Sequence, residues 1–374
     1  MECMCNFQTI CICGGGSLGH TIAASASNRG YRVNLLTGHP EKWSNHLDVT
    51  DCRGQVIHGT IHQASNRPEE VIPSSDVILL CVPGYMIEPV LKQIAPFVGP
   101  QQEIGSVVSS SGFFWMARHL LGEGRRLFGF QRVPFISRVT RYGQAADLKG
   151  YKSSLKIGGN RHSDLQGLAG FFSDALSTPT YPLGHYLEAA LTNSNPLLHP
   201  SRIYGMLSPI EGDLYDHEIL FYEEWDDFSS KVLIECDEEF QAMLRALPVR
   251  QEEIPSLLSY YESTDEVSLT RKIRSIVAFK GIKMCMTPQE KGYVVDYSNR
   301  YFTEDIPYGL LIIKSLGALL GQPTPMIDQV IRWTQRRMGR EYLTDTGLNG
   351  RDIAQSAVLA NYNIRTIDDL RDLG

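Results

Sequence analysis

The sequence has no long apolar segment and no tract rich in lysine or arginine. Its longest apolar stretches, such as residues 77–83 and 310–313, fall far short of the ~20 residues that a membrane-spanning helix requires. Acidic side chains outnumber basic ones by 42 to 35, so the formal charge is -7 and no basic tract is available to neutralise phosphates. Residues 1–6 also lack the charged and apolar regions of a signal peptide. We therefore expect neither a membrane protein nor a nucleic-acid-binding protein.

Cysteine pairs with metal-binding spacing are also absent. Of the eight cysteines, Cys11 and Cys13 alternate with isoleucine in a strand-like run, and Cys3 and Cys5 lie near the start of the chain. A zinc finger would need a Cys-x-x-Cys pair, and the sequence contains none. We expect reduced, mostly packing thiols, no metal and a cytoplasmic location.

The pattern of hydrophobic residues changes about halfway along the chain. At 374 residues the chain exceeds the size at which one hydrophobic core usually stops growing, so we expect two domains. Strand-like runs alternate with helical stretches at first, as is typical of a parallel sheet covered by helices. From His185 onward the periodicity is helical. The sequence predicts an α/β Rossmann-type domain over residues 1–184 and an all-α domain over residues 185–374. The predicted strands of the first domain are 9–13, 31–37, 77–82, 104–109, 127–130 and 154–157.

A glycine-rich loop follows the first predicted strand and precedes a helix of small residues. The first glycine permits a tight turn, the second lets the backbone approach a pyrophosphate, and the third lets the helix pack on the strand. The start of the helix adds N–H groups and the positive end of its dipole. A glycine-rich turn without a ligand is the alternative, but the strand and helix on either side favour dinucleotide binding. The expected cofactor-binding residues of this loop are Gly14, Gly16, Ser17, Leu18 and Gly19.

The end of the second predicted strand bears on the choice of cofactor. In NAD-binding proteins this position normally carries an acid that binds the ribose, whereas here the chain reads Thr37-Gly38-His39. Without the acid, Thr37, His39 or Lys42 could contact a ribose phosphate, which favours NADP over NAD. Binding of the ribose by other means is the alternative. Loops after later strands place Pro83 and Ser110 near the nicotinamide half of the cofactor.

Three further groups fit a reductase that acts on a keto or imino acid. His199 can donate a proton because the unperturbed pKa of histidine, about 6.5, lies near neutrality. Asp305 can fix the orientation of the ring, and Arg300 can bind a carboxylate. Two of these residues also have a structural interpretation. His199 would be a packed or capping histidine, and Arg300 would pair with the neighbouring Glu304 or Asp305. Asn193 and Asn195 would either bind substrate or shape the turn before the following proline.

These motifs together resemble the octopine/nopaline (opine) dehydrogenase family. The resemblance rests on Gly-x-Gly-x-x-Gly near the start, Asn-x-Asn-x-x-x-His-Pro near the middle and Arg-Tyr-Phe-x-Glu-Asp later, and it spans nearly the whole chain. It implies that His199 is the proton donor, that Asp305 completes a dyad with it, and that Arg300 binds the carboxylate of an α-keto acid. An amino acid, an α-keto acid and NAD(P)H would be the reactants, and the enzyme would be a monomer or a homodimer. Tyr222 with Glu224 is a weaker likeness that names no role.

Two other functions are also compatible with the sequence. One is a 2-keto or 3-hydroxy acid reductase that uses no amine, although such enzymes usually rely on a lysine where this chain offers His199. The other is a nucleotide-sensing protein without catalytic activity. A run of acids, Glu223, Glu224, Asp226 and Asp227, would recognise a basic amino acid or simply face solvent.

Overall fold

The computed structural model describes residues 7–209, 212 and 214–374, and these form two units. The amino-terminal unit extends to Asn193 and also includes Asp368–Gly374, while the carboxyl-terminal unit comprises Ser194–Ile367. The predicted domain boundary, between residues 184 and 185, is nine residues before this division and stays a prediction of domain organisation. Residues 1–6, with Cys3 and Cys5, lie outside the described residues. Within the described ranges, no helix combines the length and apolarity needed to cross a bilayer.

An eight-stranded sheet forms the centre of the amino-terminal unit. Its interior strand β1 is apolar after its first residue, Thr9, and is buried along its whole length, as expected for a parallel strand covered on both faces. The strand order is β12-β11-β8-β7-β6-β1-β2-β5, and every pairing is parallel except that of β11 with β8. The strands are β1 (Thr9–Cys13), β2 (Arg32–Leu36), β5 (Gln63–Ser65), β6 (Val77–Leu80), β7 (Glu103–Ser106), β8 (Arg126–Phe130), β11 (Leu155–Gly159) and β12 (Thr180–Pro182).

A second sheet of four strands belongs to the same unit and was not predicted. Its order is β4-β3-β10-β9, with β3 and β10 parallel and both outer pairs antiparallel. Alternating buried and exposed residues in β3 show that only one face of this sheet is packed. That face joins the same hydrophobic core as the large sheet. The strands are β3 (His46–Asp51), β4 (Val56–Thr60), β9 (Phe135–Arg141) and β10 (Ala145–Tyr151).

Helices complete the amino-terminal unit. The small residues of α1 allow close approach, since a Cβ added at Gly59 of β4 would lie 2.6 Å from Ala24 Cα. The end of the chain is tied to this unit, because the Tyr186 hydroxyl donates to Leu370 O at 2.6 Å. The helices are α1 (Ser17–Asn28), α2 (Pro68–Val71), α3 (Gly84–Ile94), α4 (Phe113–Leu121), α5 (Leu165–Ala175) and α6 (Tyr186–Ala190).

The carboxyl-terminal unit is mainly helical. Its longest helix, α8, starts where the side chain of Asp226 accepts a hydrogen bond from Ser229 N. Its helices are α7 (Asn195–Leu207), α8 (Asp227–Leu244), α9 (Leu257–Tyr260), α10 (Glu266–Ser275), α11 (Arg300–Thr303), α12 (Leu311–Leu320) and α13 (Pro325–Arg337). A short last helix, α14 (Ile367–Arg371), begins at the final residue of this unit and continues into the amino-terminal unit. A π-helical segment, Ile306–Leu310, joins α11 to α12.

The predicted fold class, a Rossmann-type parallel sheet followed by a helical domain, is confirmed. The structure adds one small antiparallel sheet to the helical unit, in the order β13-β15-β14. Its strands are only two to four residues long, which is too short for a period-2 pattern to stand out in sequence. They are β13 (Leu214–Tyr215), β14 (Met286–Gln289) and β15 (Gly292–Val295).

Candidate active site

The glycine-rich loop is closely packed at two of its glycines and open at a third. Gly14 has a φ of +126°, and a Cβ there would lie 2.5 Å from Cys81 O. A Cβ at Gly19 would lie 2.1 Å from Gly14 O, so α1 could not pack against the loop with any larger residue. At Gly16, by contrast, a Cβ would have no neighbour within 4 Å. Gly16 also precedes Ser17 and Leu18 at the start of α1, so this open position fits a phosphate group at a helix N-terminus.

The ribose end of the predicted cofactor site contains hydroxyl groups. Thr37, after β2, is buried, and its Oγ1 lies 3.1 Å from the Tyr142 hydroxyl. The same hydroxyl would be 2.4 Å from a Cβ at Gly15, so Tyr142 lies between the glycine loop and the end of β2. His39 is exposed, and its Nδ1 lies 3.3 Å from Glu41 Oε1.

His20 holds the glycine-rich loop through its ring nitrogens, a function that the sequence does not predict. Its Nε2 accepts a hydrogen bond from Gly143 N at 2.7 Å, so Nδ1 carries the hydrogen and donates to Gly16 O at 2.8 Å. Burial lowers the pKa of His20, which favours this neutral form. No spacing rule could have found this contact, because Gly143 lies more than a hundred positions along the chain.

Two predicted site residues of the amino-terminal unit contact each other. Asn193 Nδ2 donates to the Ser110 hydroxyl at 3.1 Å. Pro83 is the N-cap residue of α3 and lies three residues after the end of β6. Since β6 is next to β1, Pro83 and the glycine loop both follow the carboxyl ends of adjacent strands. Asn195 is the first residue of α7 and belongs to the other unit.

His199 and Asp305, 106 positions apart in sequence, are adjacent in the carboxyl-terminal unit. His199 lies in α7 directly before Pro200, and its Nδ1 is 2.7 Å from Asp305 Oδ2. Both side chains are buried. An ionised carboxylate only accepts hydrogen bonds, so Nδ1–H donates and Nε2 is left to exchange a proton. The geometry is that of a histidine oriented by an acid.

The chain bends at Asp305 through a π-helical turn. Asp305 N donates to Arg300 O at 3.3 Å, and Leu310 N donates to Asp305 O at 2.8 Å. Both bonds span five residues, the spacing of a π-helix, which is frequent at functional sites. Arg300 is the exposed first residue of α11. Within residues 7–209, 212 and 214–374 its guanidinium forms no ion pair, which disfavours the interpretation of Arg300 as a structural partner of Glu304 or Asp305.

Tyr222 is the second hydrogen-bonding partner of His199, and sequence analysis assigned it no role. Its hydroxyl lies 2.9 Å from His199 Nε2. Burial raises the pKa of Tyr222 far above its usual range, so the phenol stays neutral. The ring of Tyr301 packs 4.6 Å from that of His199, and burial raises the pKa of this phenol too, whereas the charge of Arg300 lowers it. The sequence feature that could have drawn attention to Tyr222 is the aromatic run around it, but such a run indicates packing rather than a catalytic role.

The acids near Tyr222 are occupied by structural bonds. Glu224 accepts from Leu220 N and lies 3.0 Å from His217 Nε2. Asp226 caps α8 and pairs with the buried Arg202 at 2.9 Å. Glu223 accepts from the backbone N of Gly281 at 2.7 Å. These contacts favour a structural function for the run over recognition of a basic amino acid.

Comparisons with known proteins match the two parts of the chain to different family models and the whole chain to opine dehydrogenases. Residues 182–338 match the family model for the NAD/NADP octopine/nopaline dehydrogenase α-helical domain, and residues 10–109 match ketopantoate reductase PanE/ApbA. Octopine dehydrogenase of Mizuhopecten yessoensis is 27% identical, with 96% of this chain and 97% of that protein covered. Tauropine dehydrogenase of Arabella iricolor is 25% identical, with 96% and 98% covered. A solved octopine dehydrogenase with NADH and L-arginine superposes with a TM-score of 0.88 at 25% identity, covering 97% of this chain and 98% of that one.

Proposed function

We propose that this chain, whose residues 182–338 match the octopine/nopaline dehydrogenase family, condenses an amino acid with an α-keto acid and reduces the resulting imine with NAD(P)H. The product is an N-(carboxyalkyl) amino acid, and the reverse reaction is oxidative. The observation that carries the proposal is the buried pair of His199 Nδ1 and Asp305 Oδ2, 2.7 Å apart, on the helical unit that matches the family.

His199 is the acid–base group of the proposed reaction. As the amine adds to the keto carbon and water departs, the keto oxygen needs protons, and the imidazolium form of His199 provides them. Asp305 holds Nδ1–H, fixes the tautomer and stabilises the imidazolium. Bound NADPH or NADH supplies the hydride that reduces the imine carbon.

Arg300 is the proposed binding group for the keto-acid carboxylate. Its planar guanidinium can bind a carboxylate with two parallel hydrogen bonds. Its exposure and the absence of an ion pair to it among the described residues leave it available for a substrate. We assign Asn193 and Asn195, which precede His199 in the chain, to substrate binding as well. One solved octopine dehydrogenase contains NADH and pyruvate, so we take a small keto acid such as pyruvate as the first substrate to test.

For the cofactor we propose NADPH over NADH. The family uses nicotinamide dinucleotides, and solved octopine dehydrogenases contain NADH. In this chain, however, the last residues of the ribose-binding turn, Thr37 to His39, carry no acid, and Lys42 follows them as an exposed cation. The measurement is kcat/KM for each cofactor at saturating substrates. A preference of about tenfold or more for NADH would overturn this assignment.

The activity is tested by following NAD(P)H oxidation with pyruvate and a panel of amino acids that includes arginine, alanine and taurine. We expect oxidation that depends on both the keto acid and one amine, with the secondary amine product identified by mass spectrometry. Oxidation with the keto acid alone would instead favour the simple reductase, the class that the match over residues 10–109 also contains. Absence of oxidation with every pair would contradict the proposal.

The cellular setting and assembly belong to the same proposal. The described cysteines, Cys11, Cys13, Cys52, Cys81, Cys236 and Cys285, are all free thiols. This fits the reduced environment of the cytoplasm, where we place the enzyme. We propose that it works as a monomer or a homodimer, which sedimentation of the purified protein distinguishes.

A further inference from the structure

Both ring nitrogens of His199 are hydrogen-bonded within the carboxyl-terminal unit. Nδ1 lies 2.7 Å from Asp305 Oδ2, and Nε2 lies 2.9 Å from the Tyr222 hydroxyl. Each of the three residues is only 5% exposed. A proton that moves between His199 and a substrate must therefore either pass through the Tyr222 hydroxyl or wait for Tyr222 to move away.

Tyr222 is held on several sides, which argues against its moving away. Its ring stacks on Phe279 with centroids 4.0 Å apart and lies within 2° of parallel to Trp225. The preceding carbonyl, Phe221 O, accepts a hydrogen bond from the buried Arg202 at 2.9 Å. These contacts fix the plane of the phenol and aim its oxygen at Nε2.

We propose that Tyr222 relays the catalytic proton between His199 and the oxygen of the substrate. The proposal rests on the proposed function and names a further catalytic residue for it. A hydroxyl suits a relay because it donates one hydrogen bond while accepting another. Its raised pKa keeps Tyr222 protonated when it is not transferring.

The relay acts when water leaves the carbinolamine formed by the amine and the keto acid. The Nε2–H bond of the imidazolium breaks as its proton moves to Tyr222 Oη, while the Tyr222 proton moves to the carbinolamine oxygen. The C–O bond then breaks, water leaves, and the nitrogen lone pair forms the C=N bond. Before the amine adds, neutral His199 takes one proton from the substrate ammonium group through Tyr222, and the amine passes a second proton to the keto oxygen as it adds. Both protons end in the water, the third stays on the iminium nitrogen, and His199 and Tyr222 return to their starting states.

The test is Tyr222→Phe, with Tyr204→Phe as the matched control. Tyr204 is a buried tyrosine of α7 whose hydroxyl bonds to Gln329 and not to His199. We expect Tyr222→Phe to lower amine-dependent kcat about 100-fold, as when a general acid is lost, with unchanged NAD(P)H affinity and a melting temperature matching the control. Rates in H2O–D2O mixtures should curve with deuterium content in the wild type and the control, because two protons move together. The dependence should become linear in Tyr222→Phe.

Two results would overturn the relay while leaving the proposed function intact. One is a Tyr222→Phe rate within threefold of that of Tyr204→Phe, and the other is a slow Tyr222→Phe enzyme that keeps the curved dependence. Failure of the unaltered protein to show any amine-dependent oxidation would instead reject the function itself. If Tyr222→Phe does not fold, 3,5-difluorotyrosine at position 222 keeps the ring and the hydroxyl while lowering the phenol pKa. The relay then requires the dependence of the rate on deuterium content to stay curved, because the hydroxyl that passes the second proton is retained, and a linear dependence would refute it.

Discussion

At the scale of single residues, the Asp305 carboxylate has one partner that matters for chemistry, Nδ1 of His199. Asp305→Asn keeps the size of the side chain but allows it to donate to Nδ1, which favours the wrong tautomer. We expect kcat to fall by about 100-fold or more with little change in the melting temperature. Steady-state kinetics and thermal melting check this, with Asp328→Asn as a control of the same chemistry in α13. Unchanged turnover would remove Asp305 from the proposed mechanism.

Arg300 should act on substrate affinity. Loss of a charge-assisted hydrogen bond costs about 1.5–3 kcal/mol, so Arg300→Ala should raise KM for the keto acid roughly 10- to 100-fold. Arg300→Lys keeps the charge without the planar fork and should fall between the wild type and Arg300→Ala. The control is Arg271→Ala, which removes an exposed arginine of α10. An unchanged KM for every accepted keto acid would contradict the assignment.

Asp237 should make the stability of the protein depend on pH. Burial raises its pKa from 3.8 to about 6, while Leu257 N donates to its carboxylate. The folded protein therefore binds this proton more tightly than the unfolded chain, so the contribution of Asp237 to stability is greatest below pH 4 and is lost as the pH rises to about 6. At pH 7.5 Asp237→Asn should add about 2 kcal/mol to the free energy of unfolding and flatten its dependence between pH 4 and 6. Urea unfolding across this range measures it, with the exposed Glu252→Gln as control; equal curves for the wild type and Asp237→Asn would count against the buried charge.

Residue types that carry chemistry could be selected from the sequence, whereas their partners could not. His199 and Asp305 stood out because an imidazole before proline and a Glu-Asp pair recur in a known pattern. The sequence marks Tyr222 only as a weak likeness without a role and does not mark His20, because a tyrosine or histidine in an apolar run has the same appearance whether it packs or bonds. Their contacts, with His199 Nε2 and Gly143 N, depend on how distant segments fold together.

At the scale of elements, the turn from β1 to α1 separates a glycine needed for packing from one available to a ligand. In Gly19→Ala the new Cβ would lie 2.1 Å from Gly14 O, so we expect a loss of more than about 2 kcal/mol in stability. In Gly16→Ala the Cβ would have no neighbour within 4 Å, so stability should hold within about 0.5 kcal/mol. NAD(P)H should nevertheless bind about tenfold more weakly to Gly16→Ala, because a methyl group would keep the pyrophosphate away from the backbone. Thermal melting and fluorescence titration measure the two effects, and tight binding by Gly16→Ala would place the pyrophosphate elsewhere.

Long-range pairing explains which elements could be predicted. Two adjacent interior strands, β6 and, after Thr9, β1, are apolar runs, and the sequence predicts both within a few residues of their bounds. The four-stranded sheet was missed because it pairs β3 with β10, strands about a hundred residues apart, and because only one face is buried. Tyr142, in the turn between β9 and β10 of this sheet, lies beside Thr37 of the proposed cofactor site and was not predicted either.

At the scale of the whole molecule, the proposed cofactor residues and the proposed acid–base group belong to different units of the chain. Gly16, Thr37 and the other proposed cofactor residues belong to the amino-terminal unit, while His199 belongs to the carboxyl-terminal one. His199→Ala should therefore lower kcat by about 100-fold or more and leave the dissociation constant for NAD(P)H within twofold of the wild-type value.

Fluorescence titration with NAD(P)H, beside steady-state kinetics, tests this separation, and His217→Ala is the matched control because His217 is an exposed histidine of the same unit. A nucleotide-sensing protein without catalytic activity would bind NAD(P)H with or without His199 and would show no turnover for the variant to lose. An enzyme of the proposed kind loses turnover and keeps its cofactor. Loss of NAD(P)H binding in His199→Ala, with a wild-type melting temperature, would show that the helical unit holds the nucleotide directly, and the division of labour between the two units would then be wrong.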